Sequence, residues 1–152
     1  MNAFILYGSK FGNTEKVARA IGDALEPGMA VYIQHIEMGI ALPPDLDLLI
    51  VGSPTHAHGI PAELKTYLDD LPSGALQGVA AAAFDTRYRM PVLISGSAAS
   101  GIAKRLRQKG ARLVRKPESF FVEHGEGPLA EGEIERAAAW AHALGEVMSE
   151  AA

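Results

Sequence analysis

Along the chain, short uninterrupted apolar runs alternate with segments whose apolar residues recur at helical spacing. Phe4-Ile-Leu-Tyr is a four-residue run ended by Gly8, which predicts a buried strand. From Glu15 to Leu25, Val17, Ala18, Ile21, Ala24 and Leu25 share one face, predicting a helix with Asn13 or Thr14 at its cap. Ala30 to Ile36 reads as a second strand of β-branched and aromatic residues, and Glu37 to Asp47, with Gly39, Pro43 and Pro44, as a connection. Leu48-Leu-Ile-Val-Gly-Ser has the unbroken apolar character of a central parallel strand covered on both faces. Pro61 then opens a helix with Leu64, Tyr67, Leu68 and Leu71 inward, and Val79 to Phe84 is a fourth strand of small residues. Val92-Leu-Ile is too short to assign, but Ser97 caps a helix with Ile102, Ala103 and Leu106 inward and Gly110 at its end. The fifth strand comes in two pieces, Arg112 to Val114 and Ser119 to Val122, around Lys116-Pro117. Pro128 to Glu150 is a closing helix with Ile134, Ala138, Ala141, Leu144 and Met148 on its buried stripe and Trp140 at the edge.

Strands alternating with helices predict an α/β fold, a doubly wound five-stranded parallel sheet in a single domain covering residues 1–152. In such sheets ligands bind beyond the carboxyl ends of the strands, where strand order reverses. The loops after strands one, three and four, Ser9 to Thr14, Ser53 to Gly59 and Asp85 to Arg89, are the polar ones and gather at that end.

Composition narrows the chemistry. With 48% hydrophobic residues the chain can bury a substantial core. The absence of cysteine excludes disulfides, thiolate nucleophiles, Cys-ligated zinc and iron–sulfur clusters, so redox chemistry needs a borrowed cofactor. A net charge of −4 argues against a nucleic-acid partner, and the basic cluster from Lys104 to Lys116 reads as a solvated helix face complementing the helix dipole. Without a basic run ahead of a long apolar segment, or any apolar stretch of membrane-spanning length, the expectation is a cytoplasmic protein with no membrane partner.

The turn after the first strand carries the most chemistry. Free N–H groups at the start of the following helix converge with the positive end of its dipole, and Ser9, Asn13 and Thr14 add side-chain donors, with Lys10 inside the loop. That is a seat for phosphate, although a plain strand-to-helix cap uses the same residues, and the stretch alone leaves both readings open. No Gly-Lys-Ser/Thr closes a Walker loop and no Gly-x-Gly-x-x-Gly is present. A phosphate seat beside loops carrying His56, His58 and Tyr88 describes a site for a phosphorylated, flat, aromatic ligand. His56-x-His58 could be half of a metal site, but no third ligand accompanies the pair. Ser95-Gly-Ser-Ala-Ala-Ser-Gly lacks the nucleophile elbow and reads as loop and helix cap.

At these residues the chain resembles the flavodoxin family over its whole length. Ser9-Lys-Phe-Gly-Asn-Thr is similar to the family's Thr/Ser-x-Thr-Gly-x-Thr phosphate loop, Ser53-Pro-Thr-His to its second loop, and Asp85-Thr-Arg-Tyr lies where the third, ring-covering loop belongs. The length matches the short-chain type. The resemblance implies strand order 2-1-3-4-5 with non-covalent FMN at the switch point between strands one and three. It implies cofactor contacts from Ser9, Lys10, Phe11, Gly12, Asn13 and Thr14 in the first loop. The second loop would contribute Pro54, Thr55, His56, Ala57, His58 and Gly59, and the third Asp85, Thr86, Arg87 and Tyr88, the last stacking on the ring. No catalytic residue or metal ligand is assigned.

The implied function is electron transfer through the flavin, to a redox partner protein or a small-molecule electron acceptor. The alternatives are an FMN-dependent oxidoreductase acting on a quinone-like acceptor, and a module of the same fold that has lost flavin and binds another anion or partner. The chain departs from the family pattern in ways that bear on this choice. Phe11 replaces the usual second hydroxyl, the second loop has no Trp, and the third lacks a Gly-Asp pattern. Arg87, Arg89 and the two histidines surround the presumed ring where electron-carrying flavodoxins are typically acidic, which favours two-electron chemistry.

Overall fold

The structure is a computed structural model that describes residues 1–36, 40–55 and 59–151. Among the described residues, six strands form one parallel sheet. They are β1 (Asn2–Tyr7), β2 (Ala30–His35), β3 (Leu48–Pro54), β4 (Ala80–Tyr88), β5 (Arg112–Leu113) and β6 (Glu118–Val122). The order is β2-β1-β3-β4-β5, with β6 pairing the far half of β4. The two-piece fifth strand of the sequence reading is thus β5 and β6, both laid on β4.

Helices cover both faces. On one, α1 (Asn13–Leu25) and α5 (Glu133–Ala151) bury Val17, Ile21, Leu144 and Met148 against Ile5, Ile50, Ala82 and Phe84. On the other, α2 (Ala62–Asp70) and α4 (Ala98–Gln108) bury Leu64, Leu68, Ile102 and Leu106 against Leu6, Leu49, Val51 and Ala83. Period-two alternation along β1, β3 and β4 sends successive side chains to the two cores, which is why β3 had to be apolar throughout. Close approach is built in at Gly52, whose register partner is Phe84. A Cβ there would lie 2.1 Å from the Phe84 ring.

Two expectations need correcting. The closing helix starts at Glu133, and its buried stripe is Ala137, Trp140, Ala141, Leu144 and Met148. Ile134 is 39% exposed, whereas Trp140 is buried and meets Phe84 and Phe120 edge-on, with centroids 6.2 and 6.0 Å away. The aromatic trio sets the phase, because the indole is the largest apolar group the helix can bury. Val92–Ser95 forms a one-turn helix, α3, with none of its residues buried. The basic cluster is only partly a solvated face: Arg105 pairs with Asp69 at 3.0 Å, and the Lys109 ammonium donates to the Asp69 and Leu71 carbonyls at the end of α2. Among the described residues no helix is long and apolar enough to cross a membrane.

Candidate functional site

The turn after β1 differs from its sequence reading at one point. Neither Asn13 nor Thr14 caps α1. Gly12 holds the cap position at φ 90°, and no side-chain cap bond forms there among the described residues. Glycine is used because the turn needs a left-handed residue. Its consequence is chemical: the N–H groups of the first turn stay unclaimed by a capping side chain, at the positive end of a 13-residue helix. The Gly12 N–H donates back to Ser9 Oγ at 3.0 Å, closing the loop and leaving the Ser9 hydroxyl proton available. Asn13 turns away and donates to the Glu126 carbonyl at 3.1 Å, while Thr14 Oγ1 lies 2.9 Å from Thr86 Oγ1. Phe11 is 48% exposed, with the Lys10 ammonium 5.3 Å from its ring centroid.

Beneath this loop lies a support that the sequence did not reveal. Ser9 N–H lies 3.3 Å from His35 Nε2, at the end of β2, and the His35 ring meets the buried Tyr7 edge-on. The Tyr7 hydroxyl donates to Glu15, which also pairs with Arg19. Burial, reinforced by that carboxylate, pushes the Tyr7 phenol up to about 12, and the phenol's hydrogen bond holds the Glu15 carboxyl below its usual range.

The third loop is not a loop. β4 continues to Tyr88, paired with β3 through Thr86 and with β6 from Phe84 to Tyr88. Asp85, Thr86, Arg87 and Tyr88 are strand residues and alternate. Thr86 and Tyr88 share the face of Phe84, toward α1, while Asp85 and Arg87 take the opposite face, Asp85 toward the start of α4 and Arg87 toward Ser95. Asp85 is fully buried. Its Oδ2 accepts from Ser97 Oγ at 2.9 Å, the Ala99 N–H at 3.0 Å and Thr55 Oγ1 at 3.2 Å, tying the end of β3 to the start of α4. Its Oδ1 accepts no hydrogen bond and faces Arg87 Nε at 3.9 Å.

Arg87 is therefore a rivet and not a free cation at a ring. Its guanidinium donates to Ser119 Oγ at 2.9 Å, the Met90 carbonyl at 2.7 Å and Ser95 Oγ at 3.1 Å, and its charge is answered by Asp85. Arg89 lies over the Phe121 ring, 4.4 Å from its centroid. Of the two arginines expected around the ring, Arg89 is stacked on Phe121, outside the lining. Arg87 still lines the cleft, as a partnered cation with its guanidinium tied down by Ser119, Met90, Ser95 and Asp85.

A cavity of about 340 Å³ opens between these pieces, beyond the carboxyl ends of β1, β3 and β4. Its volume falls in the range of about 300–1,000 Å³ usual for small-ligand clefts. The first loop contributes Ser9, Lys10, Phe11, Asn13 and Thr14, the end of β3 Pro54 and Thr55, and β4 Thr86, Arg87 and Tyr88. Gly12 and Asp85 shape the walls without lining them, and Gly59 stands outside the lining as well. His56, Ala57 and His58 lie outside the described residues.

The cavity also recruits residues the sequence reading missed: Met90, Ile94 and Ser95 from the strap after β4, and Val122 and Gly125 beyond β6. The only available signal was the apolar triplet at 92–94, too short to show a period. The mouth is apolar, with Phe11, Tyr88, Met90 and Ile94 all exposed, and among the described residues no acidic side chain lines it. Such a cleft can hold an anion where α1 begins and a flat apolar group toward Tyr88.

No curated protein sequence matches this one. Among solved structures, a flavodoxin from the domain Archaea superposes with a TM-score of 0.80 at 21% identity, covering 98% of this chain and 99% of that one. Oxidised flavodoxin 2 from Bacillus cereus gives 0.75 at 25% identity, with both chains covered completely. Rubredoxin oxygen:oxidoreductase from the anaerobe Desulfovibrio gigas gives 0.76 at 21%, over 98% of this chain but 36% of that larger one. The flavodoxin family model matches residues 5–140, nearly the whole sheet and its helices. With the strand order, the switch-point cleft and that match in agreement, the chain belongs to the flavodoxin family, a family of FMN-binding proteins.

Proposed function

We propose that the chain transfers electrons through non-covalently held FMN in the cleft between Ser9–Thr14, Pro54–Thr55 and Thr86–Tyr88, in the cytoplasm. The observation that carries this is the start of α1: a glycine cap with open space where a Cβ would stand, first-turn N–H groups unclaimed by a side chain, and Ser9 and Thr14 hydroxyls in one cavity. These residues fit a phosphate monoester, and Tyr88 and the apolar strap fit the flat ring. Bound FMN supplies the redox chemistry, accepting and releasing electrons one or two at a time. The chain's own part is to hold the phosphate, cover the ring with Tyr88 and leave an apolar opening. Asp85 and Arg87 fix the walls around it.

Adding FMN to the purified protein tests the reading. A perturbed visible spectrum with quenched flavin fluorescence is the expected result, and free-flavin behaviour would defeat it in favour of a module that binds another anion. A second reading, oxidation or reduction of a small quinone-like acceptor, draws support from the exposed apolar mouth and the lack of acidic lining among its described residues. Comparing the rates at which the reduced holoprotein passes electrons to a water-soluble quinone and to a one-electron protein acceptor separates the two. A faster quinone reaction favours the oxidoreductase.

A further inference from the structure

Position 11 is phenylalanine, so the phosphate loop offers one hydroxyl fewer than the Thr/Ser-x-Thr-Gly-x-Thr pattern provides. The Phe11 side chain is half exposed and carries no donor that could replace it. The Asn13 amide is anchored on the Glu126 carbonyl, away from the hydroxyl position that Phe11 vacates in the pattern. A hydroxyl of the right kind nevertheless reaches the same cavity from another element. Thr86, on β4, stands 2.9 Å from Thr14 Oγ1; both residues line the cleft, and both are buried, at 5% and 2% exposure.

Two hydroxyls bonded to each other use only one of their two protons. The remaining O–H belongs to a buried pair beside the uncapped start of α1, where an anion is favoured. Strand alternation explains how Thr86 arrives there: it shares the face of Phe84, toward α1, while its neighbours take the other face, Asp85 bonding the start of α4 and Arg87 bonding Ser95 of α3.

We propose that Thr86 is a phosphate-end residue of the FMN site, acting with Thr14 as a two-hydroxyl donor that replaces the hydroxyl lost at Phe11. One threonine of the pair donates to the phosphate oxygen while accepting the proton of the other, so the anion is bound by a chain of two hydroxyls running from α1 to β4. Thr86 is thereby reassigned from the ring end of the cleft, where its place after the fourth strand would put it, to the phosphate end. The inference rests on the FMN reading above.

The test titrates the apoprotein with FMN and with riboflavin, which keeps the ring and lacks the phosphate, using wild type, Thr86→Val, Thr86→Ser and Thr14→Val. Thr86→Val preserves shape and removes the hydroxyl. It should weaken FMN binding about ten- to hundredfold, as expected for a lost hydrogen bond to a charged group, and leave riboflavin binding unchanged. Thr86→Ser should restore FMN affinity. The Thr14→Val, Thr86→Val double variant should lose less than the product of the two single losses, because the pair acts as one unit. Equal weakening of both flavins by Thr86→Val, or no effect on FMN, would overturn the assignment. Thr86→Ala is read the same way should the valine fail to fold. A wild type that binds neither flavin refutes the FMN reading itself, a result distinct from any failure confined to Thr86.

Discussion

Replacing Asp85 with alanine would strand several groups at once. The Ser97 hydroxyl, the Ala99 N–H and the Thr55 hydroxyl lose their acceptor, and the half-buried Arg87 loses its counter-charge. Breaking a buried pair in this way costs about 3–5 kcal/mol, so Asp85→Ala should show that loss in denaturant unfolding. Asp85→Asn keeps an acceptor oxygen and should recover part of it. Tyr7 yields a prediction about pH. Its folded pKa stands near 12 against an ordinary 10.0, so the folded chain holds the phenol proton more tightly than the unfolded chain does. That contribution is complete below pH 10 and disappears as the pH climbs toward 12. Glu15 acts at the other limb: its depressed pKa adds stability above the usual carboxylate range, which fades as the pH falls through it. Tyr7→Phe should therefore remove part of the alkaline fall in unfolding free energy measured against pH. The Ser9–Thr14 turn is legible in the sequence because small polar residues and two glycines interrupt an apolar run there. The parting of Thr86 from Asp85 and Arg87 is not, since alternation assigns faces only once the end of the strand is known.

That end is fixed between elements. The last residues of β4 mix strand-favouring Thr86 and Tyr88 with Asp85 and Arg87, which blur the signal; pairing with β6, far along the chain, extends the ladder through Tyr88. Non-local pairing decides what local propensity leaves open here. The same limit hid α3, which has no buried residue and no stripe to read, and is anchored from outside by Arg87 on Met90 and Ser95. By contrast, α1, α2 and α4 are legible because each presents a stripe of three or more apolar residues to a core. At α5 the expected and observed stripes share Ala141, Leu144 and Met148 and part at the N-terminal half, because a helix rich in alanine offers nearly equivalent faces there until Trp140 finds its aromatic neighbours. Between β3 and β4 the decisive pair is Gly52 opposite Phe84. Gly52→Ala forces a methyl into the ring and should destabilise the protein by about 1–3 kcal/mol through overpacking, lowering its midpoint in thermal melts.

For the molecule as a whole, the alternation of strands and helices sufficed to predict a parallel sheet covered on both faces, and the observed order β2-β1-β3-β4-β5 is the one implied by the resemblance. Hydrophobic pattern alone does not encode strand order, which depends on crossovers between distant segments. The divided edge of this sheet has a practical side. After β5 the Val114 N–H still bonds to the Ala81 carbonyl, but Arg115, Lys116 and Pro117 are exposed before β6 resumes the ladder. Neither core includes these three residues. Exposed segments of this kind tolerate added chain, because lengthening a surface loop costs little closure entropy. A short Gly/Ser insert after Arg115 should shift unfolding free energy by less than about 1 kcal/mol and leave FMN affinity unchanged. The edge of the sheet would then serve as a splice point, where a tethered electron donor could be grafted without touching the residues that build the cleft.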